Sequence, residues 1–305
     1  MAVSVAEYLG QRTDAEENII PVAAKNGALC PFMDRECEKV SKSLQPVCSV
    51  RKTDGRIWIV CEHRLCSSVT TNKRKHKIGL VEHQQKMLLS IARFIYLNEE
   101  LQPAQIGVKR EVTIPLPEAD HNYRADYVMR NFSGNKKVDE ILLEMQGGGE
   151  TSDTKKISDH VVGWAALENP TNAVLRQSVK ANTLETNAWR RQQEQFLVKG
   201  NVVDQTGGKI VFAVGSLLYD YLYKRIRNAS LRDLKKHNWT LCLLPIKEKT
   251  ERTIISGPVN FEIDEEKVIF TNYSTFVRFL TDQGYPCPEI FEGVFTLLNN
   301  TTIKV

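Results

Sequence analysis

The chain has 305 residues, with 41 lysines and arginines against 37 aspartates and glutamates and a formal charge of +4. That length buries a substantial core without staples, and the mild basicity suits a polyanionic partner without demanding one. No apolar run reaches the about 18 residues of a membrane span, and the start, MAVSVAEYLGQRTDAEEN, lacks the basic and apolar regions of a secretory signal, so a cytoplasmic protein with no membrane partner is expected. Seven cysteines, an odd number without an export signal, favour free thiols or metal ligands over a disulfide framework.

Five of the seven cysteines fall between Cys30 and Cys66, in a charged segment poor in long apolar runs. It closes with NKRKHK at 72 to 77, and a domain boundary is expected there, separating residues 1–77 from residues 78–305. In the following stretch Leu80, Met87, Leu88, Ile91, Phe94, Ile95 and Leu101 recur at helical spacing. Three strand-like runs come next, QIGVKREVTI, YRADYVMRNF and VDEILLEMQ, joined by turn residues as an antiparallel meander. Helices are predicted over 154–168, about 174–199 and about 216–227, alternating with the strands KIVFAVG and WTLCLLPI. A helix, a meander and a strand–helix–strand tail imply an α/β (α+β) chain with a mixed sheet flanked by helices.

The stretch ILLEMQGGGE ends an apolar strand on polar residues. Side chains alternate along a strand, so Leu142, Glu144 and Gln146 share one face and Ile141, Leu143 and Met145 the other. The bland reading is a strand end reaching solvent. The other is a site, because Asp126 lies on the preceding strand, where antiparallel pairing brings it beside Glu144. Two carboxylates make an oxygen-rich site for Mg²⁺, which serves phosphodiester hydrolysis by polarising the phosphoryl group and activating water. Gln146, on the same face, orients water but brings no charge. The pattern resembles D…ExK, with Gln for Lys, of the metal-dependent nuclease fold shared by many restriction endonucleases. Three other short matches begin at Glu82, Glu100 and Glu265; the first two fall on the predicted helix and the third in a charged loop or strand edge, so context selects Glu144. Gly147, Gly148 and Gly149 allow close approach to a phosphate or form a flexible loop.

Cys30, Cys37, Cys48 and Cys61 are spaced too widely for a CxxC knuckle, which leaves a metal site and buried thiols both open; four thiolates around one ion point to Zn or Fe. Taken with YLGQR near the start, CPF at 30–32, PVCSV, WIVCEHRL and LLEMQ, this segment resembles the NotI type of restriction endonuclease. The resemblance runs from about residue 5 to about residue 200 and finds no match beyond. It implies a PD-(D/E)xK nuclease core over 78–305 behind a small N-terminal four-cysteine metal-binding domain that supports DNA binding. It also implies Cys30, Cys37, Cys48 and Cys61 as ligands of one structural iron (Zn being the alternative), with Cys66 and His63 as competing ligands. Asp126, Glu144 and Gln146 become the catalytic set, and GC-rich palindromes centred on GGCC the substrate.

A third acid is expected from the strand or helix before Asp126: Glu111, with Glu82 behind it, the alternative being a solvated strand-face glutamate. Lys73, Arg74, Lys75 and the adjoining His76 and Lys77 suit phosphate contacts or a solvated linker. Arg190, Arg191 and Gln193 suit base edges in the major groove or a core or dimer helix. The expectation is a bacterial type II restriction endonuclease with catalytic Mg²⁺, acting as a homodimer on two-fold double-stranded DNA. A structure-specific repair nuclease and a metal-containing DNA-binding regulator are the alternatives.

Overall fold

A computed structural model describes residues 2–22, 27–33, 35–41, 44–66, 79–114, 122–133, 140–226, 231, 233–282, 289 and 292–305. The expected boundary near residue 77 and the basic run with Lys73, Arg74 and Lys75 lie outside them. Near the N-terminus, β1 (Val3–Tyr8), β2 (Gln11–Arg12), β5 (Val47–Lys52) and β6 (Ile57–Ile59) form an antiparallel sheet in the order β2-β1-β5-β6. Between them lie the short pair β3 (Leu29–Cys30) and β4 (Arg35–Glu36) and a turn of helix, α1 (Glu38–Ser41). A 3-10 turn over Glu62–Leu65 follows β6.

The second sheet is mixed. The predicted meander forms β7 (Ile106–Ile114), β8 (Tyr123–Asn131) and β9 (Glu140–Gln146), antiparallel in sequence order. Then β10 (Lys209–Gly215) pairs parallel with β9, and β11 (Leu241–Glu248) parallel with β10. Two short antiparallel strands on β11, β12 (Phe261–Ile263) and β13 (Ile269–Thr271), complete it. Parallel neighbours need crossover connections, which the helices between β9, β10 and β11 provide. A last hairpin, β14 (Val294–Thr296) with β15 (Thr302–Lys304), is exposed along its length.

Helices cover both faces of this sheet, as the alternation of its strands requires. On one face α2 (Glu82–Tyr96) lays Met87, Leu88, Ile91 and Ile95 against Ile141, Leu143 and Met145 of β9. On the other, α3 (Thr154–Ala165), α5 (Glu185–Gln205), α6 (Ser216–Ile226) and α7 (Tyr273–Thr281) pack on Ile210, Phe212 and Val214 of β10. The same cluster takes in Val3, Val5, Tyr8, Val50 and Trp58, so the two sheets share one core. The helix predicted over 174–199 is two elements: α4 (Asn172–Leu175), and α5, which runs on to Gln205. Between them the chain is extended because its backbone bonds elsewhere, Val179 to Val3 and Thr183 to Thr151. Of the other ExK-like matches, Glu82 and Gln84 sit on α2 and Glu265 and Lys267 on a 3-10 turn, while Glu100 and Gln102 lie in the connection after α2. No described helix is long and apolar enough to cross a membrane.

Candidate functional site

Register brings the carboxylates together. Tyr127 pairs with Leu143 across β8 and β9, so one step further sets Asp126 opposite Glu144. The Asp126 Oδ2 accepts from the backbone N–H of Met145 at 2.8 Å, which fixes its rotamer. Leu142, Glu144 and Gln146 face the helices α3 and α5, away from α2. Glu144 is only 7% exposed, and its Oε1 is buried without a hydrogen-bond partner. Burial, then the neighbouring Asp126 carboxyl, push Glu144 up to about 8 against the pull of the Lys199 ammonium. Burial raises Asp126 too, opposed by the Met145 amide and Lys199.

One residue of this site was not in the sequence reading. Lys199 on α5 donates from Nζ to Glu144 Oε2 at 2.6 Å and to Gln195 Oε1 at 2.8 Å. It is 2% exposed. Trp189, Phe196 and Val203 form the apolar stripe that seats α5, with the Phe196 ring stacked on Phe212 of β10. Lys199 lies three residues after Phe196 and four before Val203, hence on the buried side of the helix. That spacing was the available signal. Two turns up the same helix, Gln192 Nε2 donates to Gln146 Oε1 at 2.8 Å, and Gln146 Nε2 donates to the Gly148 carbonyl at 2.7 Å.

Glu111 stands between Arg110 and Val112, which pair with Tyr127 and Ala125, so the ladder sets it opposite Asp126. Its φ of +46° lies in the left-handed region, rare for a side chain within a strand, and Arg124 Nη1 lies 3.8 Å from its carboxylate. Glu82 is elsewhere, exposed at the start of α2 and paired with Lys86. Arg190 and Arg191 are both exposed on α5, and Arg191 donates to Glu150 at 3.2 Å.

The three glycines after β9 serve the junction of the sheets. Gly149 N–H donates to the Ile59 carbonyl at 3.0 Å, and the Trp58 indole donates to the Gly149 carbonyl at 3.0 Å. A Cβ on Gly147 would stand 2.6 Å from the Ile59 side chain, and one on Gly148 2.7 Å from the Ile59 carbonyl. Only glycine lets β9 end against β6.

The four cysteines Cys30, Cys37, Cys48 and Cys61 share one small buried cluster with Phe32 and Met33. Their sulfurs attract backbone donors: Gly10 N–H at 3.3 Å from Cys48 Sγ, Phe32 and Met33 at Cys30, His63 and Arg64 at Cys61. Cys30 and Cys61 thus take bonds from residues two and three ahead, the same local turn used twice. Burial pushes Cys30 up to about 11 and raises Cys48 and Cys61, the latter two against the pull of the Lys39 ammonium. Cys66 belongs elsewhere: it packs in the α2 core, 3.7 Å from the Tyr127 hydroxyl, and burial pushes it up to about 12. His63 Nε2 faces Glu38 at 3.5 Å and Glu62 at 3.6 Å, while its Nδ1 is buried without a partner. Among the described residues, Glu38, Glu62 and His63 are the three donors that converge within 4.8 Å of one another. A cavity of about 360 Å³ separates this segment from the end of β9, with Cys30, Cys37, Cys48 and Cys61 on one wall and Gln146, Gln192 and Arg191 on the other. No protein-family model matches the chain, and no curated protein matches it by sequence.

Proposed function

We propose that the protein is a type II restriction endonuclease that hydrolyses double-stranded DNA with Mg²⁺ at Asp126 and Glu144. The observation that carries this is the facing pair itself: two carboxylates on adjacent inner strands of a mixed sheet, one with a buried, unpartnered oxygen. Burial first, and then the facing carboxyl, disfavour the charged form of this pair, a cost that a divalent cation would offset, and hard oxygen donors suit Mg²⁺. When bound, the ion supplies Lewis-acid polarisation of the phosphoryl group and a more acidic attacking water. Gln146 is held by Gln192 and Gly148, and its remaining amide hydrogen orients water on the same strand face. Glu111 adds a third acid from the neighbouring strand. Arg190 and Arg191, exposed at the start of α5, approach DNA, and a homodimer matches a two-fold, GC-rich palindrome centred on GGCC.

The cysteine cluster is proposed as a structural iron or zinc site. The paired backbone N–H donors at Cys30 and Cys61 offset part of the burial that raises these thiols, and soft ligands favour these metals over Mg²⁺. The rival reading, a metal-containing DNA-binding regulator, draws on one observation: both ends of the Gln146 amide are already engaged within the protein.

Digestion of long GC-rich duplex DNA of known sequence, with and without Mg²⁺ and beside Glu144→Ala, separates the two. Discrete bands that need both Mg²⁺ and Glu144 are expected, with a loss of about 10³-fold in the variant. Tight binding without cleavage gives the regulator its place, and ragged, structure-directed cutting points to a repair enzyme.

A further inference from the structure

The position two residues after Glu144 carries no charge, yet hydrolysis of a phosphodiester builds negative charge on the phosphoryl oxygens. A preorganised cation in a water-poor site is worth most at that point. Lys199 reaches the carboxylate pair from α5, 55 residues along the chain, with its Nζ 2.6 Å from Glu144. Its ammonium also draws Asp126 down, so it lies within range of both acids.

Resting on the nuclease reading above, we propose that Lys199 is a catalytic residue, the cation of the site delivered by a helix instead of by the strand. Burying an ammonium is costly, and a pair kept only for structure recovers that cost by satisfying every oxygen and hydrogen. The Glu144–Lys199 pair does not: Glu144 Oε1 has no partner, and Glu144 and Gln195 account for two of the three ammonium hydrogens. The third hydrogen and the orphaned oxygen belong to what enters the site. Arg124 shares the strand face of Asp126, but it is 62% exposed and turned to Glu111, so it lacks the dry setting. In the reaction the water oxygen bonds to phosphorus and its proton leaves to solvent. The bond from phosphorus to the departing sugar oxygen breaks, and that oxygen takes a proton from solvent. Lys199 keeps its own protons and donates a hydrogen bond to a non-bridging phosphoryl oxygen as charge grows there.

The test compares wild type, Lys199→Met, and the double variant Lys199→Met/Gln146→Lys. Single-turnover cleavage with Mg²⁺ is one readout, and calorimetric titration of DNA-free protein with Mg²⁺ is the other. Lys199→Met is expected to lower the cleavage step by about 10²-fold. It should also bind Mg²⁺ more tightly, by up to about tenfold, because a competing positive charge has gone. Returning a lysine at position 146 should recover at least about tenfold of the lost rate. Should Lys199→Met not fold, Lys199→Gln, which keeps a donor to Glu144, carries the same comparison. Loss of Mg²⁺ binding together with cleavage would reduce Lys199 to a residue that shapes the acids. Full cleavage by Lys199→Met, or no recovery in the double variant, would overturn the proposal while leaving the nuclease reading intact. A wild type that never cuts DNA brings both down.

Discussion

Among the described residues two carboxylate–cation pairs have both partners buried, and they are built to opposite standards. Glu7 and Arg64, 0% and 1% exposed, leave no buried oxygen or nitrogen orphaned. Both Glu7 oxygens accept from Arg64 Nε, at 2.9 and 3.0 Å, while Ser49 Oγ and Val259 N–H bind at 2.6 and 2.9 Å. The Arg64 guanidinium also donates to the Val259 carbonyl and lies between the rings of Phe32 and Phe261. Glu144 and Lys199, at 7% and 2%, are buried as well, yet one carboxylate oxygen is left bare beside a second acid. A closed network fixes the chain, whereas an open one stores a capacity to bind. Burial alone separates nothing here; the count of satisfied atoms does.

Breaking the closed side should cost the fold most. On the proposed iron or zinc site, Cys48→Ala is expected to release the ion and loosen the cysteine segment, because binding of a structural ion by thiolates is worth roughly 10 kcal/mol to a small segment. Metal analysis and limited proteolysis check this, and a full metal complement in the variant removes Cys48 as a ligand. Arg64→Met strands a buried Glu7 and should lower unfolding free energy by about 3–5 kcal/mol in urea, leaving Mg²⁺ binding unchanged.

At the junction of the two regions, Gly148→Ala should cost about 1–3 kcal/mol, since its methyl group meets the Ile59 carbonyl. Thermal unfolding measures it, and an unchanged melting temperature would mean β9 does not depend on that close approach.

The open side shows itself in pH. Glu144 stands at about 8 when folded against 4.5 for the ordinary glutamate, so between those values the native state holds a proton that the unfolded chain has lost. Stability is therefore expected to fall as pH rises through that window, by up to about 1.4 kcal/mol per unit, with the loss complete above pH 8. Glu144→Gln should flatten the slope, as measured by urea unfolding between about pH 5 and about pH 9. Equal slopes in both proteins would place the titrating group elsewhere.

Much of this arrangement was legible because it is local. A period of two along 141 to 146 puts Glu144 and Gln146 on one face, and antiparallel pairing of consecutive strands makes Asp126 their neighbour. The mixed sheet and its helices followed from apolar spacing, and the concentration of cysteines marked the small cluster. The rest depends on which elements meet. Lys199 looks like one more charge in a polar helix until α5 is laid across β9. Glu7 and Arg64 are 57 residues apart, with no pattern that pairs them. The glycines 147 to 149 read as loop or phosphate cradle, since nothing near them in sequence names Ile59 as what they must clear. The helix predicted over 174–199 missed its break because the competing partner, Val3, lies at the other end of the chain.

The bond from Gly149 N–H to the Ile59 carbonyl makes the end of β9 a sensor of the segment beside it. Strand β6 is followed directly by Cys61 and the turn bearing Arg64. Any opening of the cysteine segment must therefore release that amide before it disturbs the helices behind the site. Hydrogen exchange at this single position will time the segment's breathing.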